Sequence, residues 1–379
     1  MATDSHPEVD NVSPISADLD RVKSQLLPAQ VNKKFPATTN QTIDTVRTLD
    51  LPYSSIRVLQ VANPPGPAID IFLKRITIPG KEQSIIKEAL IRETHLLEKL
   101  NKYLPEESVE LIASFPEQQT IATKGCAGNS IDELINAHQF WWQPGLKSKA
   151  QRQRLAQLCG DWLKRFHALT EQNDQLLKPW YDYLNGEMDW RTQALQQGQT
   201  RHASLYRKVA DKFYSDLREQ EQYAPTNIYH GDFAPHNIFD NQHKITVIDF
   251  FGAQTGSKLM DLINFIASIA SRGENPLYPK GRISTFCQQF IAAYNLAPNT
   301  QDSLAAPLLV LQSVKRLLVL KNTTPHRIDQ QYSHRRSTHW HHQYLENYFK
   351  GNDSLVAKGP WPFLDLSTFT RAKSNNPKH

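Results

Sequence analysis

The chain has 379 residues, 39% of them hydrophobic, with 43 Lys plus Arg against 38 Asp plus Glu and a net charge of +5. That is ordinary globular usage, enough to build two lobes, and so small a charge, with no recognition motif beside it, does not point to nucleic acid. Three widely spaced cysteines, Cys126, Cys159 and Cys287, exclude a disulfide framework or zinc pattern and fit a reducing cytoplasm. Met1 to Glu8 lack the basic and apolar parts of a secretory signal, so a cytoplasmic location is expected.

Residues 1–44 are polar and proline-punctuated and read as a tail or packing arm. Within them Ser16 to Leu27 is amphipathic, with Leu19, Val22 and Leu26 on one face. A small lobe is expected over 45–124. It opens on Thr45 to Leu59, two strands whose connecting turn has no glycine. Ala68 to Ile76 is an apolar strand with Lys74 and Arg75 near its end, which alternation sends to opposite faces. Ser84 to Lys102 is a helix free of Pro and Gly, striped by Ile85, Ala89, Leu90, Leu96, Leu97 and Leu100, with Glu93 close to the stripe. Thr120 to Ser130 reads as a strand, a glycine-containing crossing and a helix cap at Asn129 or Ser130.

A larger, mostly helical lobe is expected over 125–350, followed by a tail over 351–379. Gln151 to Thr170 is a strong helix in which His167 reads as a core residue. Lys178 to Tyr223 brings Trp180, Tyr181, Tyr183 and Trp190. The most apolar run, Leu304 to Leu320, contains Gln312, Lys315 and Arg316, which makes it a core helix rather than a membrane span.

The chemistry concentrates at Ile228 to Asn237, where His230-Gly231-Asp232 is followed by Asn237 and, twelve residues on, by Asp249. The D-x4-N spacing is that of a kinase catalytic loop, in which the aspartate accepts the proton of an attacking hydroxyl and the asparagine holds a metal ion. Asp249 stands where the second metal-binding carboxylate belongs. The runs Asn237 to Phe239 and Ile245 to Ile248 flank a polar turn, so a hairpin brings Asp249 back, and Gly231 permits backbone closed to residues with a Cβ. The plain alternative is a tight strand connection in which Asp and Asn serve only the turn.

His-Gly-Asp in place of His-Arg-Asp, with Asp249-Phe250-Phe251-Gly252 and no Ala-Pro-Glu after it, resembles the aminoglycoside phosphotransferase and choline kinase group of small-molecule kinases. The resemblance implies an α+β, bilobal, protein-kinase-like fold: a small antiparallel β lobe with one helix and a larger helical lobe. It implies ATP and Mg²⁺ as cofactors, Asp232 as base, Asn237 and Asp249 as Mg²⁺ ligands, and His230 and Asp261 as braces of the loop. Such a kinase also needs a strand lysine for the phosphates and a helix glutamate to orient it. Lys74 and Glu93 are the candidates, with Glu88 and Glu98 as alternatives to Glu93. Ser54 and Ser55 are candidates for the phosphate-covering turn, and Thr123, Lys124 and Cys126 for the adenine edge.

The resemblance implies a small molecule bearing a hydroxyl as the acceptor, with no nucleic acid and no membrane span expected. Trp180 and Trp190, and the cluster containing Arg335, Arg336, His339 and Trp340, are candidates for its wall. The cluster also reads as a solvated helix approach or, less well, as a zinc site, since no helical His pair carries a glutamate between its members. A sugar or sugar-containing acceptor fits donors beside aromatic platforms. An amino-alcohol kinase with an aromatic cation cage is the alternative, as is a nucleotide-binding pseudokinase without turnover.

Overall fold

The computed structural model describes residues 14–35, 42–62, 67–136, 148–171, 178–197, 202–219, 227–275, 278–296 and 304–367. Contacts divide the chain into two units, residues 1–127 with 246–251 and residues 128–245 with 252–379.

The first unit begins with α1 (Pro14–Arg21), a π-helical turn (Val22–Leu26) and α2 (Leu27–Lys34). Five strands follow, β1 (Ile43–Leu51), β2 (Ser54–Val61), β3 (Ile69–Ile76), then α3 (Gln83–Tyr103), β4 (Leu111–Phe115) and β5 (Thr120–Lys124). They form an antiparallel sheet in the order β1-β2-β3-β5-β4. Leu19, Val22, Leu27 and Val31 of the N-terminal helices close over Leu59, Val61, Ile71 and Leu73 to make its core. Each such side chain taken fully from water contributes about 1.5–3 kcal/mol, which is what holds an otherwise polar arm to the sheet. Two ion pairs fix its register: Asp18 with Arg75, at 2.8 Å, and Asp20 with Arg57.

On α3 the buried face is Ile86, Ala89, Leu90, Glu93, Leu96, Leu97 and Leu100. Ile85, counted in the stripe from sequence, is instead 46% exposed. The repeat of three and four closes only when it starts at Ile86, and that register places Glu93 inside the stripe.

The second unit starts with β6 (Asn129–Ser130) and α4 (Ile131–Asn136). Ser130 Oγ accepts the Glu133 amide while Glu133 accepts the Ser130 amide, so Ser130 is the cap, in a reciprocal box. Helices α5 (Lys149–Leu169), α6 (Lys178–Gln196) and α7 (Ala203–Glu219) lead to β7 (Asn227–Tyr229), β8 (Ile238–Asp240), β9 (Ile245–Val247) and β10 (Gln254–Gly256). Then come α8 (Leu259–Ala270), α9 (Lys280–Tyr294), α10 (Ala305–Asn322), α11 (Ile328–Phe349) and α12 (Asp353–Val356). Its core is aromatic beneath the β7–β8 connection, where Trp162 stacks on Phe233 at 5.5 Å and Phe265 meets Phe290 at 4.4 Å. The segment after α12 is packed down by buried Trp361, Leu364 and Leu366.

No helix among the described residues is long and apolar enough to cross a membrane.

Candidate active site

In the first unit three charged side chains converge. Strand β3 alternates, so Arg75 turns to Asp18 while Lys74 turns to the other face, where its Nζ lies 2.8 Å from Asp249 Oδ2. Asp249 reaches that place because the end of β9 is stitched to the segment between α3 and β4: Val109 donates to Val247 and Val247 to Glu107. Its φ of 65° is left-handed, a conformation that Asp tolerates better than most residues. Glu93 Oε1 accepts the Phe250 amide at 3.2 Å, so the helix glutamate holds the residue next to the carboxylate. Burial, and then the Asp249 charge, push the Glu93 carboxyl up to about 8 against the opposing pull of Lys74.

The turn between β1 and β2 is the two-residue loop Pro52–Tyr53, since Leu51 pairs with Ser54. Ser54 and Ser55 therefore lie inside β2, both buried, and the Ser55 hydroxyl donates to Asp50. This differs from the expectation that they form the turn, because strand pairing with β3 takes them into the sheet. On β5, Thr123 pairs with Phe72, and Lys124 binds Glu110 at 3.3 Å. The Gly125 amide donates to Asp70, and burial pushes the half-buried Cys126 thiol up to about 11.

In the second unit the loop after β7 is tied at both ends. Asp261, fully buried at the start of α8, accepts the amides of His230 at 2.6 Å and Gly231 at 3.0 Å. It also accepts from His167 Nε2 at 3.1 Å, while His167 Nδ1 accepts the Tyr294 hydroxyl at 2.9 Å. Burial holds His167 below its usual range, against the pull of Asp261, which is the neutral form those bonds require. His167 is thus buried, as its sequence suggested, but it also orients the loop's brace, a link that only the fold reveals. Gly231 has φ 85°, and a Cβ there would stand 2.2 Å from the Gly252 carbonyl oxygen, so no other residue fits.

The loop presents one carboxylate. Asp232 Oδ2 takes the Asn237 amide at 2.9 Å and faces His236 Nε2 at 3.3 Å, its backbone N–H donates to His230 Nδ1, and its side chain stays 53% exposed. Oδ1 makes no hydrogen bond among the described residues. Burial raises the Asp232 carboxyl, but His236, His230 and Lys315 together outweigh it and keep it below the usual range.

A family model described as the phosphotransferase enzyme family, APH, matches residues 90–297, more than half of the chain, a span that includes Glu93, Asp232, Asn237, Asp249 and Asp261 but neither Lys74 nor Lys315. The chain belongs to that family. Its reaction class is ATP-dependent phosphoryl transfer to a small molecule. Solved structures share the fold. An amicoumacin kinase bound to AMP-PNP, Ca²⁺ and Ami has TM-score 0.54 at 12% identity, over 93% of this chain and 99% of that one. A glucosamine kinase bound to glucosamine, ADP and phosphate has TM-score 0.51 at 14% identity, over 81% and 83%. A microcompartment-associated aminopropanol kinase has TM-score 0.52 at 14% identity, over 86% and 98%. Among curated proteins no sequence matches.

The aromatic and basic candidates of this phosphotransferase are dispersed. Trp180 is buried, packs on Gly256 and donates to the Tyr229 hydroxyl at 3.3 Å. Trp190 is 48% exposed, donates to Glu187 and carries Arg191 over its ring at 4.4 Å. Arg335 and His339 are exposed on α11. Arg336 turns inward to the carbonyl oxygens of Gly273 and Glu274 and lies over Trp340 at 4.8 Å. Sequence reasoning passed over Lys315, Gln312, Asn264, His236, Glu187 and Arg191 as site residues. The signal was there in part, since three polar residues spaced three and one apart interrupt the apolar run of α10.

No group of three or more His, Cys, Asp or Glu side chains converges as a metal site among the described residues. Mg²⁺ does not require one, because phosphate oxygens and water fill most of its shell and one or two protein oxygens suffice. Asp249 and Asn237 offer such hard oxygens: Asn237 spends its NH₂ on Asp232 and retains its carbonyl.

Proposed function

We propose that the chain moves the γ-phosphate of ATP to a hydroxyl of a sugar or sugar-containing acceptor, with Asp232 as the base. The observation that carries this is the exposed Asp232 carboxylate, one oxygen fixed by Asn237 and His236 and the other open. Oδ1 accepts the acceptor's hydroxyl proton as the new O–P bond forms and the bond to the leaving ADP breaks. Because its carboxyl is held low, Asp232 is ionised at neutral pH and acts mainly by aiming the hydroxyl, taking the proton late.

When bound, ATP would supply the phosphoryl group and Mg²⁺ would share the phosphate charge, with Asn237 and Asp249 as the candidate oxygen ligands. Lys74 serves the phosphates, and Glu93 positions Asp249 through the Phe250 amide rather than by pairing directly with the lysine. Main-chain groups at Cys126 serve the adenine edge, since the Gly125 amide is already taken. The sugar reading is preferred to an amino-alcohol cage because Trp180 is buried and the Trp190 face already carries Arg191, so neither offers a cation an open ring.

The test is turnover of ATP on a panel of sugars and amino alcohols by the parent and Asp232→Asn. Loss of most turnover with nucleotide affinity kept supports the assignment, and a near-normal rate overturns it.

A further inference from the structure

Beside Asp232 the second unit holds a cation whose role the reaction class does not specify. Lys315 projects from α10 and is accessible to solvent, yet it makes no hydrogen bond or ion pair among the described residues. Its electrostatic neighbours are Asp232 of the catalytic loop and Glu187 and Arg191 of α6. Those two α6 residues are paired with each other, so their charges cancel locally. Asp232 also has a neighbour in His236, whose Nε2 lies 3.3 Å from Oδ2.

The position of Lys315 is fixed by more than its own helix. Gln312, one turn earlier, donates to Asn264 Oδ1 at 2.5 Å, and Asn264 donates to the Gly231 carbonyl at 3.3 Å. A continuous hydrogen-bonded line thus runs from the residue before Asp232 to α10. From the same helix Lys321 binds the carbonyls of Ala194 and Gln197 at the end of α6, each at 2.5 Å. The stretch of α10 that carries Lys315 is therefore tied both to the catalytic loop and to the end of α6. Desolvation by the surrounding helices lowers its affinity for its proton while Asp232 supports it, and an anion placed beside it would gain a charge-assisted contact.

We infer that Lys315 is a specificity residue that binds an anionic group, carboxylate or phosphate, carried by the acceptor near the hydroxyl directed at Asp232. The inference rests on the phosphotransfer reading above and narrows its acceptor to a sugar acid or sugar phosphate. Lys315 feels the charges of Asp232 and Glu187 but makes an ion pair with neither among the described residues, and a neutral sugar would add no partner.

The experiment measures kcat/KM for ATP-dependent turnover on matched acceptors: glucuronate and glucose 6-phosphate against glucose and glucosamine, with the parent, Lys315→Met and Lys315→Glu. The expected result is at least a tenfold preference for an anionic member, lost in Lys315→Met through a raised acceptor KM with the ATP KM unchanged. Lys315→Glu should move the preference toward glucosamine. A tenfold effect is what the loss of one charge-assisted contact of about 1.5 kcal/mol produces. Preference for glucose or glucosamine in the parent, or an anionic preference that survives Lys315→Met, overturns the inference and leaves phosphotransfer intact. So does a Lys315→Met effect confined to the ATP KM, which would assign the lysine to the nucleotide phosphates. If no acceptor turns over and Asp232→Asn matches the parent in hydrolysis of ATP by water, the phosphotransfer reading fails and takes this inference with it.

Discussion

Asp261 accepts the backbone amide of His230 at 2.6 Å across 31 residues of chain, and its second oxygen takes the next amide, that of Gly231. A single buried carboxylate thereby sets the direction in which Asp232 leaves the strand. Asp261→Asn keeps the shape but replaces an acceptor with a donor facing two N–H groups or His167. Turnover should fall by about tenfold or more, with a lowered melting temperature and nucleotide affinity little changed, because a charged buried hydrogen bond contributes about 1.5–3 kcal/mol. Equal activity in the variant would show that the loop holds its own conformation.

Gly231→Ala tests the turn itself. A left-handed φ and a Cβ 2.2 Å from a carbonyl oxygen cannot both be relieved without moving Gly252. Backbone strain of this kind costs about 1–3 kcal/mol before any clash is counted, so the variant should melt lower and lose turnover together.

Metal dependence is expected to separate Asp249 from Lys74. Asp249→Ala should abolish the extra thermal stabilisation that Mg²⁺ adds to ATP, whereas Lys74→Met should weaken ATP stabilisation with or without Mg²⁺. Melting curves with ATP plus EDTA and ATP plus Mg²⁺ distinguish them. An unchanged Mg²⁺ increment in Asp249→Ala would place the ion elsewhere.

Acid stability should report on Glu274. Burial raises its carboxyl, but His341 and Arg316 outweigh burial and hold it at about 2, from an ordinary 4.5. Its folded value is depressed, so its contribution is complete above pH 4.5 and disappears as pH falls from 4.5 toward 2. The loss is on the order of 3 kcal/mol. Glu274→Gln should flatten the stability profile in that window.

Arg335 and Arg336, adjacent in sequence, should behave differently. Arg335→Ala should change neither melting temperature nor acceptor KM, since its side chain is exposed. Arg336→Ala should lower the melting temperature, because it frees the carbonyls of Gly273 and Glu274 and uncovers Trp340. A raised acceptor KM in the double variant would restore the basic cluster to the acceptor wall.

What was legible in the sequence was what short spacing encodes. Asp232 and Asn237 are five positions apart and bond to each other, and Lys74 and Arg75 part to opposite faces as alternation demands. Less legible was anything set by contacts distant in sequence. His167 meets Asp261 across 94 residues, and no local pattern distinguishes it from an inert core histidine. The polar residues of α10 were noticed but weighed only against a membrane span, although Gln312 and Lys315 lie one turn apart, Gln312 tied to the catalytic loop. Aromatic composition misled in the other direction: Trp180 was grouped with Trp190 by proximity in the chain, yet 3% exposure makes it core. Ile85 and Ile86 are alike in chemistry, so only the helix's phase separates them.

The first unit takes six of its residues, Thr246–Phe251, from deep inside the sequence of the second. An N-terminal fragment ending at Ala127 would therefore carry Lys74 and Glu93 but neither Asp249 nor the Phe250 amide that they hold. It would be left with an unmatched lysine and a buried acid deprived of its donor. Splitting this gene product by limited proteolysis near that point should yield two pieces that stay associated through the inserted strand, and a circular permutant opened there should retain what the fragment loses.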